Sequence, residues 1–360
     1  MTGISEKNIL RWKAAGSENL NRKKGSGRRI QHPDFEVKLL EYFKDVRKNA
    51  IGLSTRKFVL FARTEAKKDP TITIKFSRGW LLKFMKRNKI SLRKKSSTTS
   101  HSIDKIDEIA TTFRKKIHEL IYSPDSKYDQ NHVVNVDETG IRRDAPPDRT
   151  LENKGEKKII IASGGKEKEC LTTVIAISLT GKRLGQMIIL KGKGVKKPKC
   201  VVPNDVILSY NANSSWMTSS IMLEWVNFIL APHAKKLPAN KMGLLLMDNH
   251  STHLDEKVVK KIESFRYQIV YLPPNTTGKT QPVDIGINKL VKMHYQTMWE
   301  EWFMDNVKKF PKTAHYISPS RELMISWIWK SLRKLTTEQI MASWNVYKSL
   351  DLLLEEHGTY

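Results

Sequence analysis

Between Asp34 and Asn49 the apolar residues Phe35, Leu39, Leu40, Phe43 and Val46 recur at the spacing of one helix face, and Pro33 with Asp34 suits a helix start. A second helix is expected after Ser54, burying Phe58, Val59 and Ala62. Asp69-Pro70 interrupts that pattern. A third helix is expected from about Ser77, with Trp80, Leu81 and Phe84 on one face and Arg78, Lys83, Lys86 and Arg87 spread over the rest. Three short helices, the last of them basic, predict a helix-turn-helix that could enter the DNA major groove while Lys and Arg hold phosphates.

The polar run Ser96-Ser-Thr-Thr-Ser-His-Ser102 gives little reason to pack and marks a domain boundary, followed by a linking helix over Ile103 to Tyr122. The pattern then changes to β-branched runs: Val133–Val136, Lys158–Ile161, Leu171–Ile177, Met187–Leu190, Gly243–Met247 and Gln268–Leu272. Breaks at Ser163-Gly-Gly165 and Thr180-Gly181 suit hairpins, so the first strands are expected to pair antiparallel. Trp216 to Leu230 reads as an apolar helix capped by Ser214 or Ser215. From Ile285 to Phe310 a helix should pack Leu290, Val291, Trp299, Trp302 and Phe303, and the last fifty residues look helical. Strands followed by alternating helices and strands predict a mixed sheet with helices on both faces.

Charge sharpens the division. The 360 residues carry a formal net charge of +27. Residues 1–100 hold 26 Lys or Arg against 8 Asp or Glu. Such a segment is drawn to polyanions, and nucleic acid is the commonest such partner. A membrane surface is disfavoured, because no long basic amphipathic helix with a Trp/Phe/Leu face stands at the terminus and no 18-residue apolar run follows. The two cysteines, Cys170 and Cys200, give neither a disulfide framework nor a multi-cysteine zinc module, which suits a reducing compartment. The basic clusters at residues 22–29, including Arg28 and Arg29, and at 93–95 suit nuclear import or phosphate contact. The loop Lys191-Gly-Lys-Gly-Val-Lys-Lys-Pro-Lys199 is either a solvated run or a contact to flanking DNA.

Three aspartates then stand out. Asp137 closes the apolar run His132-Val-Val-Asn-Val-Asp, Asp248 closes Gly243-Leu-Leu-Leu-Met-Asp, and Asp284 follows Pro282-Val ahead of an apolar helical pattern. Two strand ends and a helix start can bring three carboxylates together around a pair of magnesium ions and a phosphodiester. A carboxylate at a helix start also meets free N–H groups that favour its ionised form. Glu138 is an alternative ligand to Asp137, and strand alternation favours Asp137. Asn249, His250 and His253 could position water or bind phosphate behind Asp248; a zinc reading is poorer, since no third nitrogen or sulfur ligand stands at a recognisable spacing.

Val134-Asn-Val-Asp-Glu-Thr-Gly140, Leu246-Met-Asp-Asn-His-Ser-Thr-His253 and Tyr271-Leu-Pro-Pro-Asn-Thr-Thr277 with Gln281-Pro-Val-Asp-Ile-Gly286 resemble the three catalytic blocks of pogo/Tigger-type transposases, within the mariner superfamily of DDE transposases. Residues 30–95 resemble the helix-turn-helix of centromere protein B and its pogo relatives. The resemblance implies an RNase H-like fold and a metal-binding, catalytic triad of Asp137, Asp248 and Asp284. It also implies dependence on Mg²⁺ or Mn²⁺, with two ions during catalysis, cleavage at transposon ends, and joining of the freed 3′-hydroxyl to target DNA. Family members usually carry two helix-turn-helix units, and Ile4-Ser-Glu-Lys-Asn-Ile-Leu-Arg-Trp12 looks like the tail of a first one. Gly278-Lys279-Thr280 departs from the small or apolar residues usual there.

The expected organisation is thus a remnant of a first unit and basic linker over residues 1–30, an all-α helix-turn-helix over 31–95, and a linker and helix over 96–130. An RNase H-like endonuclease with a mixed sheet flanked by helices follows over 131–310, then a helical tail over 311–360. The expected DNA contacts are Arg28, Arg29, Arg78, Lys83, Lys86 and Arg87, with Asn249 and His250 supporting the metal site. Double-stranded DNA is the expected partner, homodimerisation is open, and the nucleus is the expected location. The competing expectation is a domesticated DNA-binding protein whose catalytic fold survives as a scaffold.

Overall fold

The computed structural model describes residues 30–93, 102–144, 150–151, 158–161, 164–194, 198–306 and 318–348. The chain divides into two compact units, residues 1–103 and 104–360.

In the first unit, helices α1 (Pro33–Lys48), α2 (Thr55–Ala66) and α3 (Arg78–Arg87) surround a core of Phe35, Leu39, Phe58, Ala62, Leu81 and Phe84. The helix starts are written locally. Pro33 occupies the first turn of α1, and the hydroxyls of Ser54 and Ser77 accept the N–H groups of Lys57 and Trp80 to cap α2 and α3. Arg87 donates Nε and Nη2 to the two oxygens of Glu36 at 2.8 and 2.6 Å, tying α3 back to α1. Such a forked pair fixes geometry as well as charge. The unit is a helix-turn-helix, as the apolar spacing predicts.

The second unit is built on one six-stranded sheet, in the order β4-β3-β2-β1-β5-β6. Its strands are β1 (Tyr128–Arg142), β2 (Cys170–Ser178), β3 (Gln186–Lys191), β4 (Val206–Asn211), β5 (Met242–Met247) and β6 (Tyr267–Tyr271). Only β2 runs against the rest: it is antiparallel to β1 and β3, while β3–β4, β1–β5 and β5–β6 are parallel. Gly181, with φ +86°, makes the β2–β3 turn, where an added Cβ would meet the Thr337 side chain at 2.5 Å.

Alternation along the strands feeds both faces. Val134, Val136, Leu245 and Met247 pack under α5 (Ser219–Trp225), a π-helical segment (Val226–Leu230), α6 (Ala231–Ala234) and α7 (Glu256–Glu263). Val133, Ile175, Leu244 and Leu246 pack on the other side. There they meet α4 (Ile103–Tyr122), the π-helical segment Val283–Ile287 that follows the short α8 (Thr277–Thr280), and α11 (Thr337–Ser343) with Trp344 and Tyr347 beyond it. A third core joins Ile188 and Leu190 to α9 (Asn288–Asn306) and α10 (Arg321–Arg333). The sheet is therefore mixed and covered on both faces, in agreement with the sequence pattern.

Several expectations are corrected. Asp137 does not close its strand: β1 continues to Arg142 because β2 pairs with it as far as Cys170, and only the pairing with β5 stops at Asn135. Residues 158–161 form no strand, and Ile160 is exposed; the sheet places β2 directly beside β1. The apolar helix starts at Ser219 under a Thr218 cap rather than at Trp216, because the Ser214 hydroxyl accepts the Trp216 N–H within the preceding loop. Strand β4 was not anticipated from the sequence. The helix Ile103–Tyr122 forms as expected and puts Phe113, Ile117 and Ile121 into a core, and α10 and α11 contribute to the cores as well. The helix expected to reach Phe310 is described to Asn306, and residues 307–310 lie outside the described residues. No helix among the described residues is long and apolar enough to cross a membrane.

Candidate active site

Three stretches of chain meet at the carboxyl edge of the sheet, and one buried asparagine joins them. Asn135 is fully buried in β1. Its Nδ2 donates to the Leu246 carbonyl of β5 at 3.0 Å, and its Oδ1 accepts the Val283 N–H at 2.9 Å. Asp137 follows Asn135 by two residues, Asp248 follows Leu246 by two, and Asp284 follows Val283 by one. Asn135 and Leu246 are partners across the parallel β1–β5 ladder, so Asp137, within β1, and Asp248, just past the end of β5, stand at the same level. A lone polar residue in the apolar run 133–136 was the signal for this role, and sequence reasoning passed over it.

Asp284 lies in the first turn of the π-helical segment Val283–Ile287, which runs directly into α9. One turn further, Asn288 donates Nδ2 to Asp137 Oδ2 at 2.9 Å and to Asp284 Oδ1 at 2.8 Å. The two carboxylates thus converge on one amide. Burial, the facing Asp284 and the neighbouring Glu138 push the Asp137 carboxyl well above the usual carboxylate range, against the hydrogen bonds from Asn288 and the Glu138 backbone.

Asp248 has different company. Its Oδ1 receives the His250 main-chain N–H at 3.1 Å and the ring Nδ1–H of His253 at 2.7 Å. The other ring nitrogen of His253 reaches Glu138 Oε1 at 3.1 Å, and the His253 carbonyl accepts the Tyr271 hydroxyl. Burial disfavours a charged His253, but its hydrogen bonds to Asp248 and Glu138 outweigh that and carry its pKa up to about 10. Burial works to raise the Asp248 pKa, yet the hydrogen bond from His253 holds it below the usual value. Glu138, which strand alternation sends to the other face from Asp137, therefore reaches the site through an imidazolium.

The carboxylates thus fall into two groups, Asp137 with Asp284 and Asp248 with Glu138. No cluster of three His, Cys, Asp or Glu side chains close enough to hold an ion occurs among the described residues. Of the supporting residues expected behind Asp248, Asn249 is exposed, His250 contributes its backbone and turns its ring to Thr252, and buried His253 makes the strongest contacts. Arg78, Lys83 and Lys86 are exposed on or beside α3, whereas the guanidinium of Arg87 is engaged by Glu36. Arg28 and Arg29 lie outside the described residues.

Comparison with known proteins agrees with this architecture. Residues 168–344 match the DDE superfamily endonuclease family, a span that includes Asp248 and Asp284 and begins after Asp137. Residues 32–94 match the Tc5 transposase DNA-binding domain. The mouse Pogo transposable element with KRAB domain is 24% identical over 272 residues, which cover 76% of this chain and 44% of that protein. CENP-B homolog protein 2 of Schizosaccharomyces pombe is 25% identical over 265 residues, covering 70% of this chain and 48% of that protein. The chain spans under half the length of these relatives. Among solved structures, the pre-cleavage Mos1 transpososome aligns with a TM-score of 0.52 at 10% identity, covering 100% of this chain and 89% of that one. The Mos1 mariner paired end complex with Mn gives 0.54 at 11%, covering 99% and 87%. These structures share the RNase H-like fold of the second unit. The chain thus carries a Tc5 transposase-type DNA-binding domain ahead of a DDE superfamily endonuclease domain, an architecture that resembles the pogo-derived relatives it matches.

Proposed function

We propose that this protein cuts and joins strands of double-stranded DNA at a divalent-cation site formed by Asp137, Asp248 and Asp284. The observation that carries this reading is the convergence of Asp137 and Asp284 on one side-chain amide, with Asp248 at the matching level of the adjacent parallel strand. The residues fit a cation. Asp137 is buried and faces a second carboxylate, so its ionised form is costly until positive charge arrives. Carboxylate oxygens are the ligands Mg²⁺ and Mn²⁺ take, and two ions are the number that suits phosphodiester cleavage. A cation held by these carboxylates would supply Lewis-acid activation of an attacking hydroxyl and would neutralise charge on the phosphodiester.

The chain's own groups do the positioning. His253, braced by Glu138, keeps Asp248 ionised and orients it. Exposed Arg78, Lys83 and Lys86 supply phosphate contacts from the first unit, an assignment that rests on its match to a DNA-binding domain. Action on DNA in this way calls for a nuclear location and admits a homodimer.

Supercoiled plasmid incubated with the protein, with and without Mn²⁺, tests the reading. Metal-dependent nicking that disappears in Asp137→Ala and Asp248→Ala is the expected result. Nicking undiminished in both variants would remove the three acids from the mechanism. A second reading, a DNA-binding protein whose catalytic fold serves as a scaffold, is favoured by one observation: Asp248 is engaged by His253, which also holds Glu138, and no three-ligand cluster occurs among the described residues. DNA binding without nicking by the unaltered protein would select it.

A further inference from the structure

We propose that Asn288 is a fourth residue of the cation site, a carboxamide that holds Asp137 and Asp284 together without metal and offers its oxygen to the ion. The inference rests on the reading of the aspartates given above and adds a residue to it.

Asn288 is 9% exposed, and its two ends are treated very differently. The nitrogen serves two carboxylates at 2.9 and 2.8 Å, while Oδ1 is buried and has no hydrogen-bond partner. The orientation is dictated by charge. The opposite one would set a carbonyl oxygen against two carboxylate oxygens and give up both charge-assisted hydrogen bonds. A buried acceptor left unpaired is costly, so its persistence beside a cluster of acids asks for a reason.

Electrostatics supply one. The positive end of the amide dipole lies between the carboxylates of Asp137 and Asp284. Asn288 thus does in part what a cation would do there. Rotation of the amide by half a turn brings an oxygen to the same side, and a side-chain carbonyl is an ordinary ligand for hard divalent cations. The same residue can therefore answer both states: donor to the acids when they stand alone, acceptor when positive charge is present. Its placement one helical turn after Asp284 makes both roles geometrically cheap, since residues four apart share a helix face.

Mn²⁺ titration by calorimetry and by electron paramagnetic resonance, on the full chain, tests this without reading activity. Asn288→Leu, close in volume but with neither donor nor acceptor, is expected to weaken Mn²⁺ binding at least tenfold. Asn288→Asp keeps an oxygen ligand and adds charge. It is expected to bind Mn²⁺ at least as tightly as the unaltered protein, to melt at a lower temperature without metal, and to gain more in melting temperature when Mn²⁺ is added. A residue that merely holds the carboxylates in place predicts another pattern, in which Asp and Leu weaken binding alike. That pattern, or Asn288→Leu binding Mn²⁺ as the unaltered protein does, overturns the assignment. The Asp284→Ala protein separates the two levels of inference. If its Mn²⁺ affinity equals that of the unaltered protein, the aspartate site itself is wrong; if it loses binding while Asn288→Leu does not, only the role of Asn288 falls.

Discussion

Asn135 and Val283 are 148 residues apart in the chain, yet the side-chain oxygen of one accepts the main-chain N–H of the other at 2.9 Å. With the bond from Asn135 to the Leu246 carbonyl, this sets the mutual positions of the segments that carry Asp137, Asp248 and Asp284. Asn135→Ala leaves a buried N–H and a buried carbonyl without partners. We expect a loss of about 2–4 kcal/mol in urea unfolding of the second unit. An Asn135→Ala protein within 0.5 kcal/mol of the unaltered one, an interval of roughly the size of ordinary surface effects, would show that the clamp is dispensable.

The pairing of His253 with Asp248 and Glu138 predicts a pH signature in the metal-free protein. The folded-state pKa of His253, about 10, lies above its ordinary value of 6.5. Its contribution is therefore fully present below about pH 6.5 and fades as pH rises through 10, because the unfolded chain gives up the proton first. On the acid side, the depressed Asp248 pKa adds stability that is present above the ordinary carboxylate range and is lost as pH falls through the folded value. His253→Ala, which strands two carboxylates, should cost about 3 kcal/mol at pH 6. Denaturation curves of the two proteins should converge as pH approaches 10; a gap constant from pH 6 to 10 would be incompatible with a charged His253.

The basic residues of α3 should separate into two kinds. Lys83 and Lys86 are exposed, and replacing either with Ala should weaken DNA binding across sequences and reduce the salt slope by about one. Arg87 is held by Glu36, so Arg87→Ala should chiefly lower the stability of the first unit, by about 1 kcal/mol or less. Fluorescence anisotropy at several salt concentrations, together with thermal melts, distinguishes them. A salt slope that changes as much for Arg87 as for Lys83 would reverse the assignment.

Trp344 is fully buried at the end of α11, against the core that includes Leu246 and Val283. Trp344→Ala should cost about 3–5 kcal/mol. Soluble protein with an unchanged melting temperature would argue that this segment is an appendage after all.

What could be read from the sequence was what is encoded over a few residues. The helix starts at Pro33, after Ser54 and near Ser77 and the β-branched strand Leu171–Ile177 are local, and the structure bears them out. Trp216 misled because a loop hydroxyl and a cap hydroxyl look alike until the chain direction is known. Lys158–Ile161 misled because β propensity says nothing about whether a neighbouring strand is present. The supporting residues of the site were the least legible. Asn135, Asn288 and the bridging role of His253 depend on neighbours more than a hundred residues away, and only Asn288 had a nearby clue, four positions after Asp284.

The entwining of α10 and α11 with the sheet has a consequence for synthesis of the protein. The helix-turn-helix precedes the sheet in the chain and has a core of its own, so it can fold while the sheet is still being translated. The carboxylate edge cannot, because the core beneath Leu246 and Val283 is finished only by Ile340, Trp344 and Tyr347. A chain interrupted between residue 103 and Ile340 thus keeps the whole core of the helix-turn-helix but lacks the side chains that complete the core behind the acids.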